Sequence, residues 1–204
     1  MPNILLSGFT PFENREVNAS WVAVKNVQRE NIHAIQIPVV WGQPKIKLTM
    51  AIDHFQPEII ISLGEGHIGE FNIETIARNQ RKHKMDNLNA FPAGPIQEDG
   101  LDQISASIPA EVLQDHILDH AEKQIPLKIS EDAGSFLCEE TLYTLECFQQ
   151  TTPLIKTVVF VHVPPYDSKL IYMGEKKNCD EEVLADFLDR LLDGVLSIHQ
   201  KQYI

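Results

Sequence analysis

A cysteine near a helix start, a histidine at the end of an apolar strand and a carboxylate beside it are the side chains that acyl-transfer chemistry uses. Cys138, in SEDAGSFLCEE, stands near the start of an amphipathic segment, where the positive end of a helix dipole favours thiolate over thiol. His162 lies at the end of the apolar run TVVFVHV, where the carboxyl edge of a sheet would hold its imidazole with little motion. A nucleophilic cysteine needs such a base, and the base needs an orienting partner, for which Glu74 in FNIETIAR is suitable. Each residue also has a plainer reading. A single cysteine near a helix start is most often a small buried hydrophobe, a histidine on an apolar strand is most often a core residue, and Glu74 could be a solvated charge. Cys147, nine residues beyond Cys138, falls on roughly the opposite side of the same predicted helix.

The elements that would position these residues alternate along the chain. Apolar, β-prone runs occur at Asn3–Phe9, Ile32–Val40, Glu58–Leu63, Leu127–Ser130 and Thr157–Val163. Helical patterns lie between them. Asn18 and Ser20 read as caps for a helix to about Gln28, Gln43–Phe55 as a second, and Pro109–Gln124 as a third with Pro near its first turn. A fourth begins near Ala133 with Phe136, Leu137, Thr141, Leu142, Leu145 and Phe148 at helical spacing, and a fifth spans Asp180–His199. This order predicts one α/β domain over residues 1–204, a three-layer α/β/α sandwich whose mostly parallel, twisted sheet carries helices on both faces. Phe71–Arg78 reads as an extra strand, and the long loop KMDNLNAFPAGPIQEDG after it interrupts the alternation.

Gly64, Gly66 and Gly69 have the G-x-G-x-x-G spacing of a dinucleotide-binding turn. That turn must open a helix, so that backbone N–H groups meet the pyrophosphate, and a second strand should end in an acidic residue for the ribose. The residues after Gly69 are strand-like and no suitable second strand follows. A nucleotide-binding enzyme built on this turn is therefore the lesser alternative. The turn's place at the carboxyl end of a strand remains informative, because ligands of open α/β sheets bind there.

Composition narrows the classes further. The 204 residues, 43% apolar and 23% charged, are enough to bury a core without disulfide or metal support. A net charge of -12 argues against nucleic acid as a partner, and the basic cluster RKHK at 81–84 reads as a solvated loop. The N-terminal MPNILLSGF has no secretory pattern and no run is long enough to span a bilayer, so the expectation is a cytoplasmic protein with no membrane partner. Cys138, Cys147 and Cys179 form no C-x-x-C pair and are expected as reduced thiols. His116 and His120 share a helical spacing but lack a third ligand, so no metal site is assigned.

Taken together, ILLSGFTPF followed by VNAS, IPVVWG, LGEGHIGEFNIETIARN, DNLNAFPAG, SEDAGSFLCEETLY and VVFVHVPPY resemble, in order, the pyroglutamyl peptidase I family of cysteine peptidases. The resemblance covers roughly Asn3 to Tyr166. It implies an enzyme that removes N-terminal pyroglutamate from peptides, with Glu74, Cys138 and His162 as its catalytic residues and no cofactor. It further implies an apolar pocket for the pyrrolidone ring from Phe9, Phe12, Phe136 and Leu137, and leaves a homo-oligomer open, since the family includes single chains and tetramers. Glu13 and Asn14 stand where the family commonly has two glycines, the glycine turn lacks an Arg that many members carry, and the basic residue before the DN pair is Lys84. Those departures keep a second alternative in view, an impaired homologue that binds pyroglutamyl peptides without cleaving them.

Overall fold

The computed structural model describes residues 1–27, 29–119 and 124–203. Six strands form the central sheet: β1 (Ile4–Phe9), β2 (Ile32–Ile37), β3 (Ile59–Glu65), β4 (Phe71–Glu74), β7 (Leu127–Ser130) and β8 (Thr157–Val163), in the order β2-β1-β3-β8-β4-β7. The first four in that order run parallel, whereas β4 is antiparallel to β8 and parallel to β7. Every residue of β1 and β8 is buried, as expected of strands covered on both faces.

Alternate side chains of each strand feed two separate cores. Ile4, Leu6, Ile59, Ile61, Val159 and Val161 pack against α1 (Ala19–Val24), α3 (Ala110–Asp119) and α5 (Glu181–Tyr203). Leu5, Ile60, Val158 and Phe160 pack on the other face against α2 (Gln43–Phe55) and α4 (Leu137–Thr151). The architecture is the three-layer α/β/α sandwich that the alternation of elements predicts.

Several boundaries differ from expectation, each for a local reason. Asn18 does cap α1, its side chain accepting from the Ser20 backbone N–H at 3.0 Å, but Ser20 lies inside the helix and its hydroxyl accepts from the Phe9 N–H at 2.9 Å. The helix ends at Val24, and Gln28 lies outside the described residues. α4 begins at Leu137 and not near Ala133, because Gly134 (φ 87°) and Ser135 (φ 56°) are both left-handed and Phe136 is extended. Phe71–Arg78 is two strands. β4 joins the main sheet, while β5 (Ile76–Arg78) pairs antiparallel with β6 (Gln103–Ser105), which lies beyond the long loop. A further hairpin, β9 (Lys169–Tyr172) and β10 (Glu175–Asn178), follows the sheet's last strand.

Candidate active site

The left-handed pair Gly134–Ser135 turns the chain sharply, so that α4 starts at the carboxyl edge of the sheet with Cys138 in its first turn. First-turn N–H groups have no acceptor within their own helix, which leaves the Cys138 amide aimed outward from the helix start. The same turn carries two buried carboxylates, Glu139 and Glu140. Glu140 accepts from the Gly42 N–H at 2.8 Å and pairs with Arg81 at 2.9 Å. Glu139 accepts from the Arg78 N–H at 2.6 Å, and burial pushes its carboxyl above the usual range.

β8 brings His162 to this edge, and the antiparallel neighbour β4 brings Glu74. His162 Nδ1–H donates to Glu74 Oε1 at 2.7 Å, leaving Nε2 as the nitrogen free to face Cys138. The glutamate is 1% exposed, and its other oxygen has no hydrogen-bond partner. Burial works against a charged imidazole, but the Cys138 sulfur, which is hydrogen-bonded to His162, and the Glu74 carboxylate outweigh it and push the His162 pKa up to about 10.

The glycines of the 64–69 turn find their reason here. A Cβ on Gly64 would lie 2.8 Å from Cys138 Sγ and 3.1 Å from His162 Cδ2, and one on Gly66 would lie 2.7 Å from His162 Cβ. They are a wall that lets thiol and imidazole approach the sheet. After Gly69 (φ 85°) the chain enters β4 and opens no helix, so the helix N-terminus that a pyrophosphate would require is absent from this turn.

Phe9, Phe12, Phe136 and Leu137 converge with Cys138 on one cleft of about 230 Å³. Phe9 and Leu137 are also nearly buried core residues, at 2% and 1% exposure. Phe12 and Phe136 are partly exposed, with ring centroids 5.0 Å apart, and Trp41 packs edge-on against Phe136. The cleft also holds residues to which the sequence reading assigns no role. Glu65, at the end of β3, accepts from the Ala19 N–H at 2.9 Å and from the Tyr166 N–H at 3.4 Å and pairs with Arg15, tying three loops together around the cleft. A carboxylate in a glycine turn at a strand's carboxyl end was the one available signal for it.

The basic cluster is a loop, and Lys82 and His83 are exposed in it, but Arg81 and Lys84 are not solvated charges. Arg81 has 14% of its side chain exposed and also donates to the carbonyls of Ala93 and Pro95, while the Lys84 ammonium lies over Phe12 and Phe136 inside the cleft. Both partners come from distant segments, which local charge patterning does not reveal. Cys147 lines a separate groove with Tyr143 and Gln97, and burial raises its thiol pKa. Cys179 is buried, and its thiol is pushed up to about 12. His116 packs close to Gly194 of α5, and His120 lies outside the described residues. Among the described residues no three His, Cys, Asp or Glu side chains cluster as metal ligands, and no helix is long and apolar enough to cross a membrane.

The sequence profile of the pyroglutamyl peptidase family matches residues 2–184. The chain belongs to that family. It is 30% identical over 172 residues to the pyrrolidone-carboxylate peptidase of Coprothermobacter proteolyticus, covering 80% of this chain and 82% of that one. It is 26% identical to the enzyme of that name from Enterococcus faecalis, covering 97% and 94%. Its structure superposes on pyroglutamyl peptidase I from Bacillus amyloliquefaciens with a TM-score of 0.82 at 25% identity, covering 97% of this chain and 98% of that one. Pyrrolidone carboxyl peptidase from Thermococcus litoralis, at 24% identity and a TM-score of 0.82, shares the fold, with 98% of this chain and 96% of that one covered. The family's α/β architecture thus positions the cleft at the carboxyl edge of the sheet, where β3, β8 and the start of α4 meet.

Proposed function

We propose that this protein is a cysteine peptidase that hydrolyses the amide bond after an N-terminal pyroglutamyl residue, with Cys138, His162 and Glu74 as a catalytic triad. The observation that carries the reading is the buried His162–Glu74 hydrogen bond with Cys138 beside it, opening onto a small aromatic cleft in a member of the pyroglutamyl peptidase family.

In this reading the Cys138 sulfur, its proton held by His162, attacks the pyroglutamyl carbonyl carbon. The oxyanion that forms accepts from the Cys138 backbone N–H at the start of α4. The His162 imidazolium gives its proton to the leaving amine as the C–N bond breaks, leaving a thioacyl intermediate. Water then attacks this intermediate as His162 takes the water proton, and the thiol and free pyroglutamate are regenerated. Glu74 holds the imidazole in one tautomer and stabilises its charged form. The ring has no charged amine and is flat and apolar, which suits the faces of Phe12 and Phe136. The ammonium of a ring-opened glutamate would have to shed its hydration in a cleft whose carboxylates, Glu13 and Glu65, are already paired. Peptides bearing N-terminal pyroglutamate are therefore the assigned partners.

The test is release of a fluorescent amine from a pyroglutamyl amide, with and without iodoacetamide, by the wild type and by Cys138→Ala. The wild type should turn over and be silenced by the alkylator. The variant should lose at least about ten-thousandfold in rate and keep its melting temperature. Retained turnover in Cys138→Ala would overturn the mechanism. A folded wild type that binds the ring without cleaving it would establish the impaired-homologue alternative instead.

A further inference from the structure

The Lys84 ammonium lies 4.4 Å from the centroid of the Phe12 ring and 4.9 Å from that of Phe136, and 3.1 Å from Glu13 Oε1. A cation over two aromatic faces is held by their quadrupoles. The backbone beneath it is fixed as well. The Lys84 carbonyl accepts from Trp41 Nε1–H at 3.0 Å, and the nearby Asp86 carboxylate accepts from the N–H groups of Trp41, Leu88 and Ala90. Glu13 reaches Lys84 from a left-handed backbone position (φ 59°) that favours glycine, so a charged side chain is kept where a bare backbone would fit with less strain.

The other polar groups of the cleft have partners. Glu65 accepts from Ala19, Tyr166 and Arg15, and Asn18 is shared between Ser20 and Thr10. Both carboxylates in the cleft, Glu13 and Glu65, are therefore already committed to cations. An ammonium entering the cleft beside Phe12 and Phe136, whose ring centroids are 5.0 Å apart, would meet Lys84 as a like charge. A neutral ring with a carbonyl would meet an ammonium that has three N–H donors, with Glu13 as its carboxylate partner.

We propose that Lys84, held by Glu13, is the specificity-determining residue of this cleft: its ammonium donates to the carbonyl of a neutral lactam ring and repels N-terminal residues that carry an ammonium. This rests on the cleft being the site of the pyroglutamyl ring, as proposed above, and it assigns to one side chain the choice between a lactam and an ordinary N-terminus.

The experiment pairs binding with turnover. Affinities for 2-pyrrolidinone and for protonated pyrrolidine, rings of nearly the same shape, are measured by saturation-transfer NMR on the wild type, Lys84→Met, Lys84→Arg and Glu13→Gln. The same proteins are assayed for kcat/KM on pyroglutamyl and prolyl amides of one fluorescent amine. Lys84 is part-exposed, so the variants should melt close to the wild type. The wild type should prefer the lactam. Lys84→Met should weaken it by about tenfold to a hundredfold and raise affinity for the cation, so that the ratio collapses, while Lys84→Arg preserves the ratio and Glu13→Gln falls between. An unchanged lactam-to-cation ratio in Lys84→Met, or a wild type that does not bind the lactam, overturns the proposal. Lactam preference lost in Lys84→Met, in a protein that never cleaves a pyroglutamyl amide, would uphold Lys84 and refute the catalytic reading. Cleavage with an unchanged ratio would do the reverse.

Discussion

The two ends of β8 each bury a histidine contact, and the two histidines come out oppositely charged in tendency. At the amino end, Thr157 Oγ1 lies 3.1 Å from His199 Nδ1 of α5. At the carboxyl end, His162 sits 2.7 Å from Glu74 beside Cys138. Both imidazoles are nearly inaccessible, at 2% and 8% exposure. Burial lowers the His199 pKa, with Glu58 opposing and Lys156 assisting only weakly. The same penalty acts on His162, yet its pKa rises to about 10 because the Cys138 sulfur and the Glu74 carboxyl touch it. Burial alone therefore says little about a histidine's chemistry; the partner at hydrogen-bond distance decides it.

The comparison breaks most visibly at the carboxyl end. His162→Ala should cut turnover by at least about a thousandfold, and should also cost about 3 kcal/mol of stability because Glu74 is left buried without its partner. Kinetics and urea unfolding of the same preparation check both; near-normal rates would reduce His162 to a core residue. Glu74→Gln is gentler. Turnover should fall by about a hundredfold but stay well above that of Cys138→Ala, and the alkaline limb of kcat/KM should move down from near pH 10. The sign follows from a pKa raised in the folded state: the imidazolium's stabilisation is complete below about pH 6.5 and is lost as the pH climbs through about 10. A limb that stays in place would detach Glu74 from the histidine's charge.

The smallest effect belongs to the amino end. His199→Asn should leave turnover unchanged and cost about 1 kcal/mol at pH 8. Because the His199 pKa is lowered, its contribution is present above about pH 6.5 and fades as the pH falls, so the deficit of the variant should shrink at pH 5.5. Urea titrations at the two pH values measure this. An equal deficit at both would mean that the two histidines differ less than their surroundings imply.

Much of this arrangement was legible in the sequence, because buried strands and amphipathic helices announce themselves through periodicity. β7, β8 and α2 coincide with their apolar patterns to the residue. Cys138 and His162 were readable as a pair because a parallel strand's end and a helix start share the sheet's carboxyl edge, whereas Glu74, on the antiparallel β4, was only a suitable carboxylate until the family resemblance pointed to it. What escaped was set by tertiary contact. β5 and β6 have three residues each, too few for any period to show, and they exist only as each other's partner. The β9–β10 hairpin turns through Met173 (φ 52°) and Gly174 (φ 76°), without the Asn-Gly or Asp-Gly pair that marks such turns. Arg81 and Lys84 look like solvated charges until Glu140 and Glu13 are seen to meet them.

The span between Glu74 and His162 is 88 residues, and the two meet only across the antiparallel seam of β4 and β8. During synthesis Cys138 emerges before the imidazole, and the carboxylate long before either, so neither can engage the histidine until β8 has docked between β3 and β4. In the mechanism proposed above, a nascent or misfolded chain thus carries its thiol without the neighbour that would arm it, and the order of the strands acts as a safety catch during folding.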